Sequence, residues 1–316
     1  MRIAVTGANG FVGRWLEAEL RTAGHDVLDG GTDRPDVTDP EGLAAWLRSV
    51  APGAVVHLAA IAFGPEAARD PGRAFAVTVG GTVAVLEAAR TIGPPPWVLV
   101  PSSGEVYGRP GEWSLPLTEA APIRPGGPYA LSKVAQESVA LALGARTGVP
   151  VIVTRAFNHT GPGQRIDFVV PALAHRVHEF ARGDAPAIRV GNLDVARDFL
   201  DVRDVARAYR LLVEAAGEGR IAPSTIVNVA SGKSVAVRWI LEELCRLASV
   251  DPALEVDRAL VRPGEPVDIR GDASRLRELV GWRPEIPFAQ TLKEVLARIG
   301  ERADDVASPP AVNRAR

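Results

Sequence analysis

A glycine-rich turn after the first apolar run constrains the fold of this chain more than any other sequence feature. Residues 3–6 predict a buried strand and residues 14–20 predict a helix. Between them the glycines are spaced G-x-x-G-x-x-G. Glycines let the backbone approach a pyrophosphate, whose charge the helix N-terminus stabilises. Such a turn can also merely close a strand-helix corner, but this placement favours dinucleotide binding. The predicted contacts are Gly7, Asn9, Gly10, Phe11, Val12 and Gly13.

Short β-branched runs alternate with longer Ala- and Leu-rich stretches through the first half of the chain. The runs lie at residues 3–6, 55–60, 97–101 and 151–154. This alternation indicates βαβ units and a parallel sheet. It predicts an α/β fold, a Rossmann-like doubly wound parallel sheet with a smaller, interleaved α/β substrate-binding lobe.

The pattern changes after Arg155, where loop-rich sequence begins, and residues 226–229 predict a return to the sheet. We therefore expect residues 1–160, with about 198–230, to form the dinucleotide-binding domain. The second domain is expected at about 161–197 and 231–300. Residues 301–316 lack apolar periodicity and predict a disordered tail.

Composition favours a small-molecule substrate. The 316 residues carry a net charge of −2, which argues against binding to nucleic acid or to a membrane surface. The chain opens directly into a strand, so a cytoplasmic location is expected. Cys245 is the single cysteine, and His175 and His178 have no further ligand at useful spacing, so no metal is predicted.

Acidic and apolar residues beyond the turn suggest further cofactor contacts. Asp29 ends the second predicted strand, where an acid can hold the adenosine ribose hydroxyls, although a plain turn acid is the alternative. Arg34 stands close enough to meet a 2′-phosphate instead, so both NAD(H) and NADP(H) stay open. Asp36 and Val37 are placed for an adenine-side contact, or Asp36 caps a helix. We also expect the cofactor to contact Leu58, Ala59 and Ala60; the alternative is that these three are core residues.

Tyr129 and Lys133 stand four residues apart on a predicted helix, so their side chains share a face. An ammonium favours ionised tyrosine, so we expect Lys133 to lower the pKa of Tyr129 for proton exchange with a substrate hydroxyl or ketone. Ser103 follows the strand at residues 97–101, where a hydroxyl can hold the substrate oxygen. The tyrosine-lysine pair alone, or the serine alone, is weak evidence for a catalytic site. Together with the glycine turn, the three residues are a specific indication of one.

These motifs resemble the extended short-chain dehydrogenase/reductase family of nucleotide-sugar enzymes, over about residues 1–300. The resemblance is carried by the sequences SSGEVYG (102–108), PYALSK (128–133), FNHTGPGQ (157–164), GNL (191–193), RDF (197–199), RP (262–263) and GDASRL (271–276).

The resemblance implies that Ser103, Tyr129 and Lys133 are a catalytic triad that reduces a sugar C4 ketone with NAD(P)H. It also implies that Asn158, Arg197 and Arg262 line the nucleotide-diphosphate site. The favoured substrate is a GDP-sugar, GDP-4-dehydro-6-deoxy-D-mannose, which gives GDP-D-rhamnose. A homodimer through helices near residues 74–89 and 129–143 is implied as well.

Three alternatives remain at this stage. A GDP-mannose 4,6-dehydratase needs extra acid-base groups. Glu105, a candidate for both catalysis and substrate binding, stands where its base would, but Gly104 offers no side chain where those enzymes carry a polar one. An NDP-sugar 4-epimerase needs only the triad. A non-catalytic NAD(P)-binding sensor or scaffold is the third. Thr78, where relatives usually have asparagine near the cofactor, departs from the family pattern.

Overall fold

The structure is a computed structural model that describes residues 1–31, 35–108, 115–261 and 266–307. The strands are β1 (Arg2–Thr6), β2 (Asp26–Leu28), β3 (Ala54–His57), β4 (Trp97–Ser103), β5 (Val151–Ala156), β6 (Asn158–Thr160), β7 (Ile188–Val190), β8 (Ala196–Asp201), β9 (Thr225–Val229), β10 (Ser234–Ala236), β11 (Leu254–Val256) and β12 (Asp268–Ile269).

The helices are α1 (Phe11–Thr22), α2 (Pro40–Val50), α3 (Gly64–Arg69), α4 (Pro71–Phe75), α5 (Gly81–Ala89), α6 (Pro128–Thr147), α7 (Val169–Ala181), α8 (Val202–Gly217), α9 (Val237–Ala248), α10 (Ser274–Val280) and α11 (Phe288–Ala307). A π-helical turn, Ala76–Gly80, joins α4 to α5, and Gly104–Tyr107 and Arg258–Leu260 are 3₁₀ turns.

Chain contacts divide the protein into two units. Unit 1 comprises Met1–His159, Arg197–Ser234 and Asp268–Glu285, and unit 2 comprises Thr160–Ala196, Val235–Val267 and Ile286–Arg316.

A six-stranded sheet with the order β2-β1-β3-β4-β5-β9 forms the centre of unit 1, and all its neighbouring strands are parallel. The chain passes from β2 on one side of β1 to β3 on the other. In such sheets the ligand crevice lies outside the carboxyl ends of the strands at this switch point. The predicted Rossmann-like α/β fold is confirmed.

Helices cover both faces of the sheet, which explains why the central strands are continuously apolar. On one face α1 and α8 bury residues such as Leu16 and Tyr209 against β1 and β9. On the other face α2, α5 and α6 bury residues such as Leu47, Leu86 and Ala140. One helical stretch, Pro71–Ala89, is long and apolar enough to cross a membrane by composition, but half of it is buried within the fold.

Residues 268–285 pack in unit 1, whereas the boundaries predicted from the sequence placed them in the second domain. Trp282 is 1% exposed in the same core as the sheet, and its Nε1 donates to the Asp204 carbonyl at 2.9 Å. Asp198 accepts hydrogen bonds from the backbone nitrogens of Ser231, Gly232 and Gly271. These long-range contacts have no periodic signature in so short a stretch.

Unit 2 is built from α7, α9 and α11, with β7 and β11 paired in parallel. The ring of Trp239 stacks on that of Phe288 with centroids 6.4 Å apart. Helix α11 continues to Ala307, past the predicted start of the tail at residue 301. Leu292 and Val295 anchor it in the core, and the following residues include good helix formers. Residues 308–316 lie outside the described residues.

Candidate active site

The glycine turn lies between β1 and α1 at the switch point of the sheet. Gly7 has φ +70°, and a Cβ there would lie 2.7 Å from the Ala59 nitrogen. A Cβ on Gly13 would lie 2.4 Å from the Ala8 carbonyl oxygen. Helix α1 begins after Gly10, which offers no side-chain cap. At its glycine positions the turn therefore presents only backbone in front of a helix N-terminus, and it fits a dinucleotide pyrophosphate.

The Leu58-Ala59-Ala60 segment follows β3 and lies beside this turn. The Leu58 nitrogen donates to the Thr6 carbonyl at 3.1 Å, and the Ala59 nitrogen donates to Thr6 Oγ at 3.4 Å. Because Gly7 also packs against Ala59, the structure brings together the two predicted cofactor segments.

Asp29 and Asp36 both make turns beyond β2. The Gly31 nitrogen donates to Asp29 Oδ1 at 3.2 Å. The nitrogen and hydroxyl of Thr38 donate to Asp36 Oδ1 at 2.8 and 2.7 Å and hold the pKa of that carboxyl below its usual value. The helix cap of α2 is Asp39, whose side chain accepts from the Gly42 nitrogen. The alternative that Asp36 caps this helix is therefore wrong.

Val37, the other predicted adenine-side residue, is 7% exposed, and a Cβ on Gly81 would lie 2.9 Å from its Cγ2. Val37 is therefore packed against the start of α5. Arg34, considered for a 2′-phosphate, lies outside the described residues.

Ser103, Tyr129 and Lys133 all lie in unit 1, where β4 ends and α6 begins. Ser103 is close enough to Tyr129 to influence the pKa of its hydroxyl, and Ser103 Oγ accepts from the Glu105 nitrogen at 3.1 Å. Lys133 Nζ donates to the Pro101 carbonyl at 2.8 Å. The geometry thus combines a hydroxyl pair with a nearby buried cation, a set suited to acid-base chemistry on a carbonyl.

The electrostatics of the triad differ from the expectation. The pKa of Tyr129 is raised well above its usual value, first because burial disfavours the phenolate and then because of the charge of Glu105, while the Ser103 hydrogen bond opposes the shift. Burial lowers the pKa of Lys133 to about 8, and Glu137 opposes this. The prediction that the pKa of Tyr129 is lowered is therefore wrong for the protein by itself. Tyr129 is a protonated acid at neutral pH.

Gly104 separates Ser103 from Glu105 and packs against an aromatic ring. A Cβ at this position would lie 3.1 Å from three ring carbons of Phe157, and Phe157 is 3% exposed. Glu105 itself is exposed. A side chain at position 104 would therefore require the buried Phe157 ring to shift slightly.

Of the predicted nucleotide-site residues, Asn158 and Arg197 lie in unit 1 and Arg262 lies outside the described residues. Asn158 is exposed, and its Nδ2 donates to the Asp198 carbonyl at 3.3 Å. Next to it, the His159 ring stacks on Phe11 of the glycine turn, with centroids 6.4 Å apart and planes 2° from parallel. This brings β6 beside the turn.

A buried polar set beside Lys133 did not enter the sequence predictions. Gln136 Oε1 accepts from Lys133 Nζ at 2.9 Å, and Thr82 Oγ accepts from Gln136 Nε2 at 2.9 Å. His57 Nε2 lies 3.1 Å from the same Thr82 oxygen. A signal was present: Gln136 is three residues from Lys133 on one helix, so the two side chains are neighbours.

No group of three or more His, Cys, Asp and Glu side chains is placed to hold a metal ion within the described part of the chain.

Comparison with known proteins agrees with this geometry. A family model described as GDP-mannose 4,6 dehydratase matches residues 32–295. GDP-6-deoxy-D-mannose reductase of Pseudomonas aeruginosa is 39% identical over 298 residues, 94% of this chain and 96% of the relative. GDP-6-deoxy-D-talose 4-dehydrogenase of Aggregatibacter actinomycetemcomitans is 30% identical over 285 residues, 89% of this chain and 92% of the relative. The solved structure of RMD from Pseudomonas aeruginosa complexed with NADPH has a TM-score of 0.88 at 37% identity, covering 95% of this chain and 99% of that one.

Proposed function

Because this chain belongs to the GDP-mannose 4,6-dehydratase family of nucleotide-sugar enzymes, we propose that it is the reductase among them. It reduces the C4 ketone of GDP-4-dehydro-6-deoxy-D-mannose and forms GDP-D-rhamnose. The chain is an NAD(P)-dependent oxidoreductase, and either NAD(H) or NADP(H) is its cofactor.

The observation that carries the choice of reductase is the contact between position 104 and Phe157. A dehydratase needs side chains that remove a proton from C5 and protonate the leaving oxygen at C6. Gly104 supplies no such group after Ser103, and because a Cβ there would lie 3.1 Å from the Phe157 ring, a side chain at this position would require that buried ring to shift. Glu105 alone would have to serve both steps, which makes the dehydratase the weaker candidate.

The triad residues divide the work of ketone reduction. When bound, the nicotinamide supplies the hydride that C4 receives. Ser103 orients the ketone oxygen by a hydrogen bond, and Tyr129 donates its proton to that oxygen as the C4 alcohol forms. Tyr129 begins the reaction protonated, as a proton donor must. Lys133 then stabilises the tyrosinate until solvent restores the proton.

The glycine turn would hold the dinucleotide. Backbone around Gly7, Gly10 and Gly13, with Asn9, Phe11 and Val12, cradles the pyrophosphate in front of α1. Asp29 and the Asp36-Val37 pair would face the adenosine side, and Leu58 to Ala60 would flank the cofactor.

The substrate is a nucleotide-diphosphate sugar. Asn158, Arg197 and Arg262 would bind its diphosphate, because guanidinium groups suit phosphate oxygens. The domain boundaries proposed from the sequence, 1–160 with 198–230 and 161–197 with 231–300, differ from the two units of the structure chiefly at residues 231–234 and 268–285, which belong to unit 1.

A homodimer is part of the proposal. Phe75, Val83 and Leu131 are apolar side chains that are 36–47% exposed on α4, α5 and α6 of unit 1. A second copy covering this face would remove them from water. Light scattering of the wild type and of Val83→Glu would test this, with a monomeric wild type contradicting it.

The deciding experiment uses two reactions followed by absorbance near 340 nm and by NMR of the sugar. GDP-4-dehydro-6-deoxymannose with NAD(P)H should lose absorbance as a C4 alcohol appears. GDP-mannose with NAD(P)⁺ should give no product. A 4-keto-6-deoxy product from GDP-mannose, without net change in cofactor, would make the protein a dehydratase. Interconversion at C4 of a nucleotide sugar would make it an epimerase.

A further inference from the structure

A chain of hydrogen bonds leads from Lys133 to the carboxyl end of β1. It runs from Lys133 Nζ to Gln136, from Gln136 to Thr82, from Thr82 to His57, and from His57 Nδ1 to Thr6 Oγ at 2.8 Å. All five side chains are at most 5% exposed. Four of them have no part in the chemistry described above, so their polar burial in the core of unit 1 requires another explanation.

Donor and acceptor roles along this chain are fixed by Thr82. Its single hydroxyl proton is donated to the Thr78 carbonyl at 2.7 Å. The Thr82 oxygen therefore accepts from both Gln136 Nε2 and His57 Nε2. His57 must then carry a proton on Nε2, and in the neutral ring this leaves Nδ1 to accept from the Thr6 hydroxyl. Burial, aided by the charge of Lys133, lowers the pKa of His57 to about 3, in agreement with a neutral ring.

The Gln136 amide can then take only one orientation. With its nitrogen on Thr82, its oxygen faces the ammonium of Lys133 at 2.9 Å. A turned amide would direct N–H groups at the ammonium and leave Thr82 without this donor. The Pro101 carbonyl from β4 is the second neutral acceptor of Lys133.

We propose that Gln136 is a positioning residue for Lys133, and that Thr82 and His57 hold the Gln136 amide in the orientation that presents its oxygen to the ammonium. This inference rests on the proposed function, since the catalytic part of Lys133 belongs to that proposal. Gln136 holds the lysine beneath Tyr129 on the same face of α6, and it does so without adding a charge.

The charged and titratable groups around Lys133 come from each neighbouring element. Glu137 on α6 is the nearby carboxylate, and Arg155 from β5 binds it in a bidentate pair. His57 from β3 is neutral, and Tyr129 on α6 is protonated. Thr82 from α5 and Thr78 from the preceding π-helical turn, which complete the network, carry no charge. Replacing the Gln136 amide by a carboxylate would therefore add a single new charge beside the Lys133 ammonium.

The lysine content allows a direct test. Lys133, Lys233 and Lys293 are the three lysines of the chain. Protein labelled with ¹³C-lysine gives three Cε signals, which Lys233→Arg and Lys293→Arg assign. The Lys133 titration midpoint is then read in the absence of cofactor and substrate for the wild type, Gln136→Glu, Gln136→Met and Thr82→Val.

The variants should move the midpoint in opposite directions. Gln136→Glu places an anion beside the ammonium and should raise the midpoint by roughly 1 to 3 units. Gln136→Met removes an acceptor and should lower it. In Thr82→Val the Gln136 amide is free to rotate. The Lys133 midpoint should therefore fall, as in Gln136→Met, but by less. Gln290→Glu and Gln290→Met, on the exposed face of α11, are matched controls that should leave it unchanged.

An unchanged Lys133 midpoint in Gln136→Glu and Thr82→Val would overturn the proposal, even if Gln136→Met failed to fold. Kinetics separates this result from the proposed function. If the protein is an active reductase and its Lys133 midpoint does not shift in these variants, only the positioning role is refuted. Midpoints that shift as expected in a protein without reductase activity refute the reductase alone. In an active enzyme, Gln136→Met should lower kcat about tenfold and leave KM nearly unchanged, as expected for a residue that supports only the chemical step.

Discussion

Arg155 and Glu137 form a bidentate ion pair in the interior of unit 1, with Arg155 Nη2 2.8 Å and Nε 3.1 Å from the carboxylate oxygens. The side chains are 6% and 7% exposed. Ser102 donates to the same carboxylate, and Arg155 Nη1 donates to the Tyr107 hydroxyl at 3.1 Å. The pair joins β5 to α6 directly beneath the strand that ends at Ser103.

Removing one partner should destabilise the protein strongly. Arg155→Met leaves the Glu137 carboxylate buried without its cation, which costs about 3–5 kcal/mol in other proteins. Urea unfolding measures this loss. Arg146→Met, which breaks an exposed pair with Glu87, should cost under about 1 kcal/mol. Glu137→Met combined with Arg155→Met should recover most of the loss; if the double variant is no more stable than Arg155→Met, the unpaired charge is not the cause.

Tyr129→Phe should abolish turnover while leaving the fold and cofactor binding intact. Loss of the proton donor is expected to lower kcat by about 10²–10⁴-fold. Steady-state kinetics and NAD(P)H fluorescence titration measure the two properties. Tyr107→Phe is the matched control, since it removes a buried hydroxyl hydrogen-bonded to Asn228 at 2.6 Å and should cost about 1 kcal/mol of stability with activity retained. Undiminished turnover in Tyr129→Phe would show that Tyr129 is not the proton donor.

Stability should rise with pH because of Lys133. Burial lowers its pKa to about 8 in the folded protein, whereas an unfolded lysine titrates near 10.4. Between these values the unfolded chain binds more protons, so its free energy rises relative to the folded state as pH increases. The burial penalty is fully present below about pH 8 and disappears above about pH 10.4.

The comparison of wild type with Lys133→Met isolates this contribution, because other groups cancel. From pH 8 to pH 10, the free energy of unfolding of the wild type should rise by about 2 kcal/mol relative to that of the variant. Denaturant unfolding at intervals of pH measures the difference. A constant difference across this range would show that Lys133 titrates normally.

Gly13→Ala should weaken dinucleotide binding. The new Cβ would lie 2.4–2.5 Å from backbone atoms of Gly7 and Ala8, so the turn itself must move. We expect NAD(P)H affinity to fall at least about tenfold, a loss of 1.4 kcal/mol. Gly64→Ala at the start of α3 meets no atom within 4 Å and is the control. Equal affinity in the two variants would contradict the cradle.

Motifs with fixed places relative to a strand or helix were predictable from sequence. The glycine turn follows β1 and opens α1, and Tyr129 and Lys133 share a helix face, because local geometry alone fixes these relations. The identity of the family followed from the same motifs, and the comparisons confirm it.

Features that depend on packing were not predictable. Gln136 acquires its importance only because α5 brings Thr82 against it, and Asp36 and Asp39 are equally good capping residues by type. The pKa of Tyr129 is set by burial and by Glu105, neither of which its spacing from Lys133 reveals. The roles of Asn158, Arg197 and Arg262 stay predictions.

The three separate segments of unit 1 set a limit on when it can be completed during synthesis. β5 of the central sheet gains its outer neighbour β9 only after residue 229 has been made, and Trp282 enters the same core some fifty residues later. A ribosome that releases the chain from its N-terminus therefore exposes the first 159 residues with an unpaired strand edge and an incomplete core. Truncation before residue 285 would leave unit 1, and not merely the C-terminal part of unit 2, unfinished.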